Sequence, residues 1–572
     1  MKHERTGTGQ ERSSQDVATL RPGEGKDGEH SVFHRAEADT VMFASVRAVP
    51  LADDALIARP TPEEARRFQI HPRRARLSRA VLLVILAMQT LITVRMHNTA
   101  SPDEAFTVLA GNAELAHLRA GASLWAGTGA PLPGAPMLSP LLSALAVHAG
   151  GLAAARAISL LEMLAVTALL YALTRRLFNE RVALCAGLLF AVAEPVLLGG
   201  FLAGYDATAL CLLALAAWLV VRAPEPARVP VYLLAVPVLA LAAAAEYAAL
   251  FFVPLVIGLA ALAAWPRLGW RALIRMVVLG AGTVAVIAGT EIATRLDFRA
   301  GLVAPPPRPE ASGTALLWDC AQWIGLPFAL ALIGAVAYAV RPATDSPATD
   351  STARATGGIA LAGGQLCRVW LGVVMAGGAL LGVAVQVGLH TGSVRQPVGF
   401  GLLLAAPMAG VGLARVVGDH FRRTQIGIAV WGAVLALGMT QANDMFHTWP
   451  DSAKYVATMA RYLRPGARYL VEGTDVPLYY LRKDAGARPG QFTAIGHLDY
   501  APKGGPALTG NAAYTAAIRA GYFRIVAYHY GEARAEDTVI ARALAASPDY
   551  RLATVIPDDN DLGRQYVWVK SG

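Results

Sequence analysis

Residues 80–104 read AVLLVILAMQTLITVRMHNTASPDE. The apolar run, at about 80–96, is long enough to cross a bilayer as a helix. It is followed by Ser101-Pro102-Asp103-Glu104, an N-cap, a proline and two acids in the order that opens a new helix. Immediately before the run lie Arg66, Arg67, Arg73, Arg74, Arg76 and Arg79. Basic residues stay on the cytoplasmic side of a first span, so the N-terminus is expected inside and Asp103–Glu104 outside, at the membrane surface.

The whole chain fits that opening. Of its 572 residues 55% are hydrophobic and only 16% charged, against ~25% charged in soluble domains. Intrinsic disorder and a single soluble domain are excluded for the chain as a whole. The net charge of +9 does not suggest nucleic-acid binding, because the excess sits in short loops between apolar runs. Residues 1–75 are polar, without periodicity and without the apolar core of a signal peptide, and read as a disordered cytoplasmic tail.

Beyond the first span, 97–150 reads as an extracytoplasmic loop with juxtamembrane helices. Its last piece, 137–149, is too short for a comfortable crossing. Treating it as interfacial or re-entrant keeps Arg175, Arg176 and Arg181 inside. Further spans are expected near 154–176, 182–201, 205–222, 230–246, 248–265, 272–294, 316–340, 367–389, 397–415 and 425–442, which makes about eleven within 80–442. The stretch 341–366 reads as a flexible linker. From 443 to 572 the spans stop, and short strand and amphipathic-helix patterns predict a small extracytoplasmic α/β domain. The fold class is therefore a polytopic α-helical membrane protein with a C-terminal α/β domain.

No lysine occurs between Lys26 and Lys454, so an anion bound in the membrane body must meet arginine, histidine, backbone N–H or a metal. Cys185, Cys211, Cys320 and Cys367 lie in or beside apolar runs without CxxC spacing, and read as buried apolar residues.

Carboxylates are costly in a bilayer, so those at its surface carry the information. Asp103 and Glu104 serve either as first-turn acids of a helix or as a base and an acceptor-orienting group. Tyr205–Asp206, in GGFLAGYDATALCLL (199–213), offers the same choice in a second outside turn. Glu246, inside ALAAAAEYAALFF, needs a polar partner or a water-filled cavity. Glu162 and Glu194 lie within or at the end of spans. The C-terminal tyrosines, Tyr479, Tyr480, Tyr500, Tyr522, Tyr528 and Tyr530, serve mainly core packing, with stacking on a ligand as the functional option. The run from Asp558 to Asp561 reads as a polar turn before it reads as a calcium loop.

The run SPDEAFTVLAGNAELAHLRAG (101–121) resembles the first outside loop of GT-C glycosyltransferases, more narrowly the dolichyl-phosphate-mannose protein mannosyltransferase and aminoarabinose transferase group. AVAEPVLLGGFLAGYDATALCLLALAAWL (191–219) resembles that group's second acidic turn, and ALTRRLFNERVALCAGLLFA (172–191) its cytoplasmic turn. SVRQPVGFG (393–401), TWPD (448–451) and PGARYLVEGTDVPLYYL (465–481) resemble later stretches of bacterial members. The chain departs from the group at Glu246-Tyr247, where relatives carry Lys-Tyr, and at Gln396, where they carry histidine.

The resemblance implies a cell-membrane enzyme that transfers a hexosyl or pentosyl group from a polyprenyl-phosphate donor to a protein, lipid or polysaccharide hydroxyl, with inversion. Asp103 and Asp206 are then the catalytic residues, with Glu104, Tyr205, Arg395 and Glu246 binding substrate. No metal ligand is assigned and no cofactor is required, although a divalent cation fits the chemistry. A secondary transporter and a catalytically degenerate GT-C-like protein are the competing readings.

Overall fold

In the computed structural model, the described residues are 72–94, 98–120, 138–204, 206–222, 229–294, 313–340, 364–388, 396–418, 423–447, 451–502, 504–531, 533–557 and 564–571. Residues 1–71 of the expected tail, the linker core (341–363), Tyr205, Arg395 and Asp558–Asp561 lie outside them; residues 72–75, read as the end of that tail, are helical instead.

The chain opens with helix α1 (Pro72–Thr93), followed by α2 (Pro102–Ala120) and α3 (Leu138–Leu177). Among the described residues eight helices are long and apolar enough to cross a membrane, and nine if one bent pair counts as a span. This makes the protein a multi-pass membrane protein. The later long helices follow the expected spans: α9 (Val253–Leu268), α10 (Ala272–Thr294), α11 (Gly313–Ala339), α12 (Gly364–Gly388), α13 (Gln396–Val417) and α14 (Thr424–His447).

The earlier spans depart from expectation, and the cause is local. The span expected at 182–201 is α4 (Glu180–Ala191) and α5 (Glu194–Phe201), bent by 65°. Pro195 has no N–H to offer Ala191, so the ladder stops there. The span expected at 205–222 is α6 (Asp206–Arg222), of 17 residues. The span at 230–246 is split into α7 (Val229–Leu233) and α8 (Ala235–Ala245); Pro237 leaves the Leu233 carbonyl without its helical donor. The count of eleven is thus not reproduced as eleven single helices.

The segment 137–149 was expected to be distinct from the span after it. It begins α3, whose regular backbone breaks at Gly150 and Gly151; Gly151 has φ 73° and ψ −169°, a region open only to glycine. A second glycine sets the distance between α2 and α3. A Cβ at Gly111 would stand 1.9 Å from the Pro140 carbonyl oxygen, so any larger residue there pushes α2 off α3.

One apolar core joins α3, α4, α6, α8, α9, α11, α12 and α13 through residues such as Met163, Phe190, Leu213, Leu239, Phe252, Leu330, Met375 and Met408.

After α14 come α15 (Ala453–Tyr462), β1 (Tyr469–Val471), α16 (Asp475–Ala485), β2 (Phe492–Ala494), β3 (Asp499–Tyr500), β4 (Leu508–Thr509), α17 (Gly510–Arg519), β5 (Ile525–Tyr528), α18 (Arg534–Ala545), β6 (Tyr550–Pro557) and β7 (Arg564–Lys570). The main sheet has the order β2-β1-β5-β7-β6. Strands β2, β1 and β5 are parallel, and β7 is antiparallel to both β5 and β6. Alternation along β1 and β5 sends Leu470, Val526 and Tyr528 to one core and Tyr469, Val471, Ile525 and Ala527 to the other. The second core also buries Leu109 of α2, so the C-terminal domain packs directly on α2.

Candidate active site

The head of α2 is built around Glu104. Its side chain is 1% exposed and faces Arg156, itself 2% exposed, on α3. Arg156 donates from Nε to Glu104 Oε1 at 2.8 Å and from Nη2 to Oε2 at 2.7 Å. This two-pronged geometry is what the planar guanidinium matches best. Arg156 also donates to the carbonyls of Asn98 at 3.0 Å and Thr99 at 3.2 Å, and its guanidinium lies 5.1 Å from the centre of the Phe201 ring.

Glu104 then closes two further links. It accepts from the Ser101 N–H at 3.0 Å while Ser101 Oγ accepts from the Glu104 N–H at 3.1 Å, a reciprocal capping box. It also accepts from the Ala203 N–H at 2.9 Å. That last bond ties the turn before α6 to the head of α2, so the segments carrying Asp103 and Asp206 are held together. Glu104 was expected either to cap the helix or to orient an acceptor; its lone pairs are committed to the cap, the arginine and the turn.

Asp103, one residue earlier, faces the other way and remains open to solvent. The protein around its carboxyl strips part of its water. That loss of hydration, and then the adjacent Glu104 carboxylate, raises it above its ordinary range. The C-terminal domain supplies a third acid. Helix α16 packs along α2, Tyr480 of α16 accepts from the Ala100 N–H at 2.8 Å, and the Ser452 N–H donates to Thr99 Oγ1 at 3.1 Å. Asp475, in the first turn of α16, is pushed up to about 6, first by burial and then by the charge of Asp103.

A second group lies further along α2. Glu114 is buried, and burial pushes it up to about 8. Tyr247 feels the charges of both Glu246 and Glu114. Glu246 caps a short 3₁₀ turn (Tyr247–Phe251), accepting from the Ala248 N–H at 3.3 Å, and Ser139 Oγ donates to the neighbouring Ala245 carbonyl at 3.2 Å. The hydrogen bond shown for Glu246 is thus local, to the turn it caps. Glu162 accepts from Thr208 Oγ1 at 2.9 and 3.1 Å, joining α3 to α6. Glu194 is buried in the first turn of α5. Asp206 is half-buried in the first turn of α6.

Arg156, Asp475 and Glu114 belong to this region but were not singled out from sequence. Arg156 had a signal, an arginine just inside an apolar span. Asp475 had none, since nothing in one chain links 475 to 103. Among the described residues no three His, Cys, Asp or Glu side chains are arranged to hold a metal ion.

The family model for dolichyl-phosphate-mannose-protein mannosyltransferase matches residues 133–290. The resemblance to that group within the GT-C glycosyltransferases therefore rests on a family match as well as on the motifs. No curated protein matches the chain. Among solved structures the chain is similar to ArnT from Cupriavidus metallidurans in the apo state, with 17% identity, 87% of this chain and 98% of that chain covered, and a TM-score of 0.45. It is similar to the same protein bound to undecaprenyl phosphate, at 15% identity, 88% and 99% coverage and a TM-score of 0.43. The archaeal oligosaccharyltransferase AglB from Archaeoglobus fulgidus, in complex with an inhibitory peptide and a dolichol-phosphate, matches at 12% identity, 82% and 71% coverage and a TM-score of 0.46.

Proposed function

We propose that this chain transfers a sugar from a polyprenyl-phosphate donor to an acceptor hydroxyl at the extracytoplasmic membrane surface, with inversion at the anomeric carbon. The observation that carries the reading is the division of labour at the head of α2. Glu104 is saturated by Arg156 and two backbone N–H groups, whereas Asp103 beside it is open and raised. A fixed anchor and an exposed neighbouring carboxylate are what a positioned general base requires.

In the step itself the acceptor oxygen attacks the anomeric carbon while the bond to the phosphate oxygen breaks. The electron pair leaves on the polyprenyl phosphate, and the hydroxyl proton passes to Asp103. A lipid phosphate is a good leaving group, so no general acid is needed. Asp475 is pushed up to about 6 by burial and then by the charge of Asp103, which places it in the same acidic group. Asp206 and Tyr205 are assigned to orienting the acceptor or the sugar, Arg395 to neutralising the phosphate, and Glu246 to the donor side. A divalent cation is compatible with the chemistry, and no step is routed through one. The match of 133–290 to the mannosyltransferase family model supports the donor class.

The test is sugar transfer by purified protein in nanodiscs from a panel of radiolabelled polyprenyl-phosphate sugars, with membrane extract as acceptor. Transfer from one donor that collapses in Asp103→Asn supports the reading and names the sugar. Folded protein that transfers from no donor turns the reading toward a transporter or a degenerate relative.

A further inference from the structure

The C-terminal domain holds a second cluster of ionisable groups that the proposed transfer does not use. From β1 the chain passes by α16 to β2 on one side and then by α17 to β5 on the other. The carboxyl ends of β1 and β5 therefore frame a topological switch point, the place where open α/β sheets bind ligands. Glu472 follows β1 directly and His529 follows β5 directly.

Glu472, 8% exposed, accepts from His529 Nδ1 at 2.7 Å, from the His529 N–H at 2.8 Å and from the Ala533 N–H at 3.3 Å. Asp537, in the first turn of α18, is fully buried and accepts from the Tyr530 N–H at 3.0 Å. Two buried acids thus pin the 529–533 loop over the strand ends. They leave the imidazole 46% exposed and Tyr530 half-buried.

Three further features mark the loop as more than a turn. Tyr530 has φ 58°, and among the described residues it is the sole non-glycine with positive φ; such strain persists where the surroundings impose it and gathers at functional sites. A Cβ at Gly531 would stand 2.5 Å from His529 Nε2 and 2.8 Å from Glu472 Oε1, so only glycine keeps that approach open. Asp537 is buried beside them and is pushed up to about 7, first by burial and then by the charge of Glu472.

We propose that this switch point is a carbohydrate-binding site, separate from the Asp103 site, in which His529 and the Tyr530 ring receive a sugar. The chemistry selects that class. The Ala533 N–H at the head of α18 is taken by Glu472, and the Glu472 and Asp537 carboxyls beside it disfavour an anion. A sugar hydroxyl both donates and accepts, and suits an imidazole in either protonation state. The Tyr530 ring, held edge-on to Tyr528 at 5.2 Å and Tyr566 at 5.6 Å, offers a rigid apolar face to the C–H side of a pyranose.

The test uses the full-length protein in nanodiscs and saturation-transfer NMR with methyl α-mannopyranoside, methyl β-glucopyranoside and methyl β-galactopyranoside, against empty nanodiscs. At least one glycoside is expected to receive saturation. Binding should weaken about tenfold in His529→Ala, the loss of one strong hydrogen bond, and also in Tyr530→Asn, a residue that tolerates positive φ. It should persist in Asp103→Asn, so failure of the transfer reading leaves this one standing. No saturation from any of the three, equal saturation in both loop variants, or loss in Asp103→Asn alone overturns the proposal.

Discussion

The head of α2 and the 529–533 loop solve the same problem with different countercharges. In each a buried glutamate collects donors from separate segments and holds an exposed neighbour in place: Glu104 holds Asp103, and Glu472 holds His529. The partner of Glu104 is an arginine, which stays charged at any pH the fold meets. The partner of Glu472 is a histidine, backed by a second buried acid. The first anchor is therefore permanent and the second is conditional on protons. Rigidity is spent where the proposed base must be positioned, and adjustability lies in the domain that packs over it.

The contrast is broken most severely at Arg156. Arg156→Leu leaves Glu104 buried without its cation, an error worth ~3–5 kcal/mol. The expected outcome is a large fall in melting temperature in detergent, with little folded protein recovered. Arg156→Lys, which keeps the charge but loses the fork, should fall between that variant and wild type.

Next in size is the pH dependence of the C-terminal loop. Asp537 in the folded state is raised to about 7 from 3.8, so the folded state binds the extra proton. Stability from this group is full at low pH and is lost as pH rises from ~4 to ~7. Glu472 is held down at about 2 by its bonds to His529, so its contribution is lost as pH falls from ~4.5 to ~2. Hydrogen exchange, corrected for its intrinsic rate, should therefore show the amides of Tyr530 and Ala533 opening more as pH rises through that window. Asp537→Asn should flatten the profile. A flat profile in wild type would erase the distinction between the two anchors.

The smallest effect sharpens the link between the regions. Tyr480→Phe removes the acceptor for the Ala100 N–H and should cost ~1 kcal/mol, read as a modest drop in melting temperature with the C-terminal domain still docked through Leu109.

The membrane class, the later spans and the C-terminal α/β domain were legible because apolar length and period-two alternation survive tertiary packing. The division of the early spans was not read, although Pro195 and Pro237 marked the breaks; hydropathy windows average over a missing N–H. Asp103 and Glu104 were legible as a pair, but their separate fates depend on Arg156, 52 residues on in sequence, and on which side of the helix each faces. Asp475 and the Glu472–His529–Asp537 group were illegible because they are assembled by sheet order, which one sequence does not spell out. Tyr528 joins the core as expected of most C-terminal tyrosines, with Trp568 Nε1 donating to its hydroxyl at 3.2 Å, whereas Tyr530 stands at its edge.

The central claim is that Asp103 works and Glu104 holds. Single-turnover transfer rates and melting temperatures of Asp103→Asn and Glu104→Gln, measured side by side with the active donor, test it most directly. The account predicts that Asp103→Asn keeps the wild-type melting temperature and loses at least ~100-fold in rate, while Glu104→Gln loses melting temperature and keeps much of its rate per folded molecule. Glu104→Gln that melts like wild type but no longer transfers sugar, beside an active Asp103→Asn, would contradict it.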